Sequence, residues 1–449
     1  MFRWNWKSLG VFSFFIAIIG FSIYAYINKP DDVLLVYGPR EYPNGICQLF
    51  YIDPHRSLVK DMSSFLPPDA DCYPSVAHLN KKIWLFITTS TVSAIGKLDT
   101  KIIIYQVIPE GTLVTERTIS LGNIELTSDL EIGPSGEFYF SGIVDGEEGI
   151  YRGDSKTGEV VIYISYDESS ATYPIISPNG HHLAYMIPTE NATNKNECMP
   201  PCYLGYFHIW DIEKQTDIDL LALTLTLLEL PEQRHCGVEW SPTGRWLSIM
   251  TECLIPSGPQ SNVVYDTLSG EVVMVLDMTA FDMPLRGWWR TKNELITNEQ
   301  VSEGEDRHYR YISHSVLDGT QHELFDFGDK GIWESGQANF RDWTEDGNSA
   351  AGWATTRLIQ QENQLVSAVI VNKAMTDQPQ VHYASLPPGE SSYDTVWSLS
   401  EELLAVSMYS YSPIGDMLYR TWIMDNNGQI MMDVVPLEIV FPGYLWIRH

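Results

Sequence analysis

CGVEWSPTGRWLSIMTECLIPSGPQSNVVYD, residues 236–266, decides the architecture. Gly237-Val238-Glu239-Trp240 is a short β-rich run that ends in the turn Ser241-Pro242-Thr243-Gly244. RWLSIM (245–250) and NVVYD (262–266) are two further runs of the same kind, and EVVMVL (271–276) is a fourth. In the turn, proline fixes φ near the value required, glycine accepts a positive φ, and serine caps the backbone through its hydroxyl. The unit is therefore four short strands, a to d, with a tight turn after a and a Tyr-Asp or Trp-Asp pair closing c.

The same unit recurs outward in both directions. SPNG at 177–180 and GPSG at 133–136 repeat the a–b turn, and FHIWD at 207–211 repeats strand c. Towards the N-terminus, 73–121 form a second unit, while VLLVY (33–37), QLFYID (48–53) and SLVK (57–60) supply b, c and d with no strand a. Towards the C-terminus, a sixth unit begins at LRGWW (285–289), a seventh turns at TEDG (344–347, with Asp346-Gly347), and an eighth runs from TVWS (395–398) to 435. GYLWIR (443–448) is left over as a lone strand a, the strand that the first unit lacks. A terminal strand completing an initial sheet leaves no open edge at the junction. The spacing of about 45–60 residues is that of propeller blades. The reading is an all-β propeller of eight four-stranded blades, with seven as the alternative, closed by the C-terminal strand.

The turns Ser177-Pro178-Asn179-Gly180 and Ser241-Pro242-Thr243-Gly244, LAY at 183–185 and the Trp210-Asp211 ending resemble the repeats of WD-repeat and TolB-type propellers. The resemblance covers residues 32–449 and implies a central channel that binds proteins or ligands. A His–Asp pairing in every repeat is not evident, which points to the TolB type.

Residues 9–27, LGVFSFFIAIIGFSIYAYI, carry no charge, and a helix of that length nearly crosses a bilayer core of about 30 Å. Arg3 and Lys7 before it and Asp31-Asp32 after it put the N-terminus in the cytoplasm. The expected plan is a cytoplasmic N-terminus (1–8), a transmembrane signal-anchor (9–27), a linker (28–32) and an extracytoplasmic, periplasmic or extracellular propeller (33–449). With 28 basic and 58 acidic residues the net charge is −30, which opposes nucleic acid and anionic lipid headgroups and suits cationic partners.

Cys47, Cys72, Cys198, Cys202, Cys236 and Cys253 all follow the anchor, and an even number in an exported domain fits disulfides. Cys47 with Cys72 would tie the first two blades. Cys236 faces Cys253 across antiparallel strands, and Cys198 and Cys202 share a loop; exchange of either with Cys236 is the alternative. No zinc-finger spacing accompanies Cys198 and Cys202.

The a–b turns are uniformly tight, whereas the b–c connections are long and irregular, so binding belongs on the b–c face. No Gly-x-Ser-x-Gly elbow is present, and His181-His182 point to opposite faces of one strand and cannot share a metal. No cofactor is expected; the acidic loops at 145–148 and 303–306 are the places where Ca²⁺ would bind. Trp288, Trp289, Trp343, Trp353 and Trp397 either stack sugars in the channel or pack between blades. Asn191-Ala192-Thr193 is a glycosylation sequon. The functional expectation is a membrane-anchored, non-enzymatic binding or scaffold module that holds a protein or small ligand. Its alternative is an envelope hydrolase, glycosidase- or lactonase-like, with acidic residues at the channel mouth.

Overall fold

A computed structural model describes residues 32–40, 46–79, 82–92, 98–145, 147–165, 172–188, 205–220, 222–223, 235–251, 261–277, 288–303, 306–326, 337–343, 349–357, 365–373, 380–382, 391–398, 400, 402–411, 417–425, 429–434 and 443–448. The proposed anchor at 9–27, Cys198, Cys202, Cys253, the sequon, the Asp346-Gly347 turn and most of the long b–c loops lie outside them.

Short β-branched and aromatic runs punctuated by Gly and Pro form antiparallel meanders throughout. The first sheet holds β1 (Asp32–Pro39), β2 (Cys47–Asp53) and β3 (Leu58–Asp61). The second holds β4 (Ser75–Leu79), β5 (Lys82–Val92), β6 (Leu98–Ile108) and β7 (Thr112–Gly122). In the third, strand a is broken into β8 (Glu125–Leu126) and β9 (Glu131–Ile132), followed by β10 (Glu137–Val144), β11 (Glu147–Asp154) and β12 (Val160–Ser165). Next come β13 (Thr172–Ile176), β14 (His182–Pro188), β15 (Gly205–Asp211) and β16 (Thr216–Asp219), then β17 (His235–Trp240), β18 (Trp246–Thr251), β19 (Ser261–Asp266) and β20 (Glu271–Asp277). The remaining strands are β21 (Trp288–Thr291), β22 (Glu294–Glu303), β23 (Asp306–Ser315) and β24 (Gln321–Asp326) in one sheet; β25 (Gln337–Trp343), β26 (Ser349–Arg357), β27 (Leu365–Lys373) and β28 (Gln380–His382) in the next; and β29 (Ser391–Trp397), β30 (Leu403–Tyr411), β31 (Met417–Asp425) and β32 (Ile430–Val434) in the last. Finally β33 (Gly443–Arg448) returns to the first sheet.

Seven hydrogen-bonded sheets make the propeller among the described residues, which corrects the expectation of eight. The strands assigned to the fourth and fifth units fall in one eight-stranded sheet, because Gly205 of β15 pairs with His235 of β17. The terminal strand behaves as expected: β33 lies antiparallel to β1, with Leu34 opposite Trp446 and Val36 opposite Tyr444.

The core is a series of apolar layers between successive sheets. Val33 and Leu35 meet Leu85 and Ile87 of the second sheet, while Leu34, Val36 and Trp446 pack on Leu403 and Ile423 of the last. Burying one such side chain stabilises by about 1.5–3 kcal/mol. Indole N–H groups stitch neighbouring sheets and strands: Trp240 donates to the Ile175 carbonyl at 3.0 Å, Trp289 to Glu239 at 3.0 Å and Trp446 to Val396 at 2.9 Å. These tryptophans, with Trp397, are buried and serve packing.

One face consists of the a–b and c–d turns. Ser177, Ser241 and Ser398 are buried, and each hydroxyl accepts the backbone N–H five residues on, from His182, Trp246 and Leu403. Aspartates ending strand c cap the c–d turns in the same way: Asp53, Asp154, Asp211, Asp266 and Asp425 accept N–H bonds from Arg56, Lys156, Lys214, Leu268 and Gln429. Successive a–b turns touch one another, since a Cβ on Gly180 would stand 2.9 Å from Pro134 and one on Gly244 2.7 Å from Asn179.

Candidate functional site

The opposite face, where strands a begin and strands b end, carries a cavity of about 680 Å³. Its wall comes from the starts of four strands a, at Tyr73 to Ser75, Leu126 to Glu131, Tyr173 to Ile175 and Gly237 to Glu239. The ends of β5 and β18 and the starts of β15 and β19 complete it with Phe86, Thr88, Ser248, Met250, Phe207 and Asn262. The cavity therefore lies on the loop-rich face that the connection lengths single out.

Four carboxylates, Asp71, Asp129, Glu131 and Glu239, share this wall with Tyr73, Tyr173, Phe86 and Phe207. Burial pushes the Glu131 carboxyl up to about 7, and the neighbouring Asp129 charge adds to the effect. Asp129 is itself raised, by burial and then by Asp71. The Tyr37 phenol is raised by burial and then by Asp129 and Tyr73, whose ring it meets edge-on at 6.3 Å. Mutual repulsion among acids in a half-dry wall is relieved either by proton uptake or by a bound cation.

Two local devices shape the wall. A disulfide joins Cys47 at the start of β2 to Cys72, with Cα atoms 4.9 Å apart, and Cys72 sits between the wall residues Asp71 and Tyr73. Asp71 is further held by its N–H to the Thr88 carbonyl at 2.8 Å, and its carboxylate accepts from the Tyr73 N–H at 3.1 Å. The second device is an irregularity in β13 between Thr172 and Ile175, where Tyr173 has φ 51 and its N–H donates to Ser141 Oγ at 2.9 Å.

Of the sequence-predicted residues, Cys47 and Cys72 form the expected bridge. Cys236 follows His235 at the start of β17, and nothing further is described of its side chain. Ser177, Pro178, Gly180, Ser241, Pro242 and Gly244 lie on the turn face, away from the cavity. His182 approaches Asp211 at 3.9 Å, a His–Asp contact that the sequence reading did not expect. Among the described residues no three His, Cys, Asp or Glu side chains group as a metal site; Asp145 instead accepts from Asn123 and Glu148 from Thr127. The mouth acids and Tyr173 went unassigned at the sequence level. The signal available was the alternation of acid with apolar residue in Asp129-Leu130-Glu131-Ile132, which runs from the break in strand a into β9.

No protein-family model and no curated protein sequence matches the chain. Similar solved structures include Porphyromonas gingivalis dipeptidyl peptidase 4, at 11% identity and TM-score 0.52 over 89% of this chain and 59% of that one. The β-propeller domain of the Trilobed protease from Pyrococcus furiosus matches at 14% identity and TM-score 0.42, over 67% of this chain and 82% of that one. TolB from Acinetobacter baumannii matches at 13% identity and TM-score 0.35, over 68% and 67%. The likeness is one of fold, and the chain spans 59% of the length of the dipeptidyl peptidase.

Proposed function

We propose that this chain is a membrane-anchored, extracytoplasmic propeller acting as a non-enzymatic binding module, which takes a basic peptide segment at the channel mouth. The carrying observation is the cavity of about 680 Å³ in which acidic and aromatic side chains converge. A lysine or arginine entering it would neutralise the crowded carboxylates and lie against ring faces, a favourable arrangement for a partly desolvated cation. The uncharged stretch 9–27 and the acidic composition support an anchored domain that meets its partner outside the cytoplasm.

The hydrolase reading draws on Glu131, whose carboxyl stays protonated to about pH 7 as a general acid would. An acid–base pair needs two groups pushed apart, one raised and one kept ionised. Asp129 is raised along with Glu131, which favours binding over hydrolysis.

Calorimetric titration of the full-length protein in detergent with trilysine tests the reading, with triglutamate as control. Saturable binding of trilysine alone, lost in Asp129→Asn/Glu131→Gln, is expected. Equal heats in wild type and double variant would refute it. Turnover of nitrophenyl glycosides abolished by Glu131→Gln would transfer the site to the hydrolase reading.

A further inference from the structure

Tyr173 holds a backbone conformation that its sequence context opposes. It stands before Pro174, and a pre-proline residue is pushed towards extended φ and ψ; its φ of 51 is instead left-handed. A bulky residue in that region is a real outlier and persists only where its surroundings enforce it. The enforcing group is Ser141, fully buried in β10 of the preceding sheet, whose Oγ accepts the Tyr173 N–H at 2.9 Å. Ser141 is fixed in turn: its N–H donates to Ser128 Oγ at 2.9 Å and its carbonyl accepts from Thr127 N–H at 2.9 Å. Ser128 and Thr127 both line the cavity, as does Tyr173. A chain of bonds thus runs from one part of the cavity wall, through a buried serine, to the strained residue on another.

Glycine or asparagine would occupy this backbone position with less strain; tyrosine there sets a half-buried ring between the apolar layer of β14, β15 and β18 and the open cavity. We propose that Tyr173 is a ligand-contacting residue of the channel mouth and that Ser141 is its positioning residue. The proposal rests on the binding reading above for the nature of the ligand, and on the cavity and the backbone outlier for the residue. The ring offers a cationic side chain a face and a phenol in one place.

The test separates ring, strain and ligand in full-length protein, by urea unfolding and by trilysine titration of Tyr173→Ala, Tyr173→Gly and Ser141→Ala. Tyr173→Ala removes the ring and keeps the strain; it should lower the folding equilibrium by the packing the ring gives up and, measured where the variant is folded, weaken trilysine binding about tenfold. Tyr173→Gly also releases the strain, so its folding equilibrium should exceed that of the alanine variant roughly fivefold, with binding equally weak. Ser141→Ala leaves the ring present but unheld, and should weaken binding although no contacting atom is lost. A folding equilibrium that collapses in Tyr173→Ala with trilysine affinity unchanged would make the ring a packing element and overturn the proposal. If wild-type protein fails to bind trilysine, the basic-peptide reading falls and the stability comparison alone decides Tyr173. A glycine variant more stable than the alanine variant would retain Tyr173 as a strained residue of the cavity wall for a ligand of other chemistry; a glycine variant no more stable than the alanine one would show that the position holds no strain and end the assignment.

Discussion

On the turn face Asp154, Asp211, Asp266 and Asp318 are held towards the ionised form, and at the mouth Asp129 and Glu131 are pushed towards the protonated one. Hydrogen bonds from the Lys156 and Thr157 N–H groups hold Asp154 below the usual range, against a smaller opposing effect of burial. Burial raises Asp211 and Asp266, but Lys214 and His182 together outweigh it at the first, and Arg245 with the Leu268 N–H and Ser269 at the second, leaving both lowered. Asp318, in the next c–d turn, is brought down to about 2 by Ser315 and Thr320. Asp129 and Glu131 are raised by burial, to which the Asp71 charge adds at the first and the Asp129 charge at the second. One face offsets the burial of its aspartates with neighbouring donors and cations; the other sets raised acids and backbone strain beside a cavity. Carboxylates held ionised by their own turn belong to folding, and raised ones lining a cavity are candidates for function.

The largest effect should come from the seam that both faces share. Trp446 is 3% exposed and spans the closing strand and the last sheet. Trp446→Ala should cost about 3–5 kcal/mol and weaken trilysine binding as well, read by urea unfolding and titration. Loss of one property without the other would mean that the two faces do not depend on the same closure. The Cys47–Cys72 bridge comes next. Its sequence separation of 25 corresponds to about 3 kcal/mol of loop-closure stabilisation. Because Cys72 carries Asp71 and Tyr73 into the wall, the Cys47→Ser/Cys72→Ser variant should lose affinity beyond what its stability loss explains, measured well below its melting temperature.

A turn-face change should do the opposite. Gly244 has φ 69, and a Cβ there would press on Asn179, which is itself tied to Thr243 at 3.1 Å. Gly244→Ala should destabilise by about 1–3 kcal/mol and leave trilysine affinity unchanged. A change in affinity would show that the turns transmit strain to the mouth.

This division also explains what was legible in the sequence. Ser177, Ser241, the turn glycines and the Asp211 and Asp266 caps act on residues two to five positions away, so their roles appear in any single unit. The closing strand was legible because its absence from the first unit and its surplus at the end are complementary. The mouth is built from residues near 71, 130, 173 and 239, each of which reads as a solvated charge or an ordinary strand residue in its own segment. Tyr173 is harder still, since Tyr-Pro predicts extended backbone and the bond that overrides it comes from 32 residues away. The sheet count failed for the same reason, through the single non-local pair of Gly205 and His235.

The smallest effect tests the comparison most directly, through its sign. A carboxyl raised on folding binds more protons in the native state, so its contribution is fully present below the unfolded pKa and is lost as pH rises through the folded one. For Glu131 that window runs from 4.5 to about 7. Solvent screening at this partly exposed side chain limits the effect to about 1 kcal/mol. Asp266 works in the opposite sense: its stabilisation is present above its unfolded pKa and is lost as pH falls through the lowered one. Urea unfolding at pH 5 and pH 8 should therefore find Glu131→Gln more stable than wild type at pH 8 by about 1 kcal/mol, with the gain shrinking at pH 5. Asp266→Asn should be less stable than wild type at both values, and its deficit should shrink only in stronger acid. Trilysine at saturation should cancel the advantage of Glu131→Gln, because a bound cation supplies the counter-charge that burial withholds. An advantage that survives saturation would place the cation elsewhere, leaving the mouth acids as a cost of folding with no return in binding.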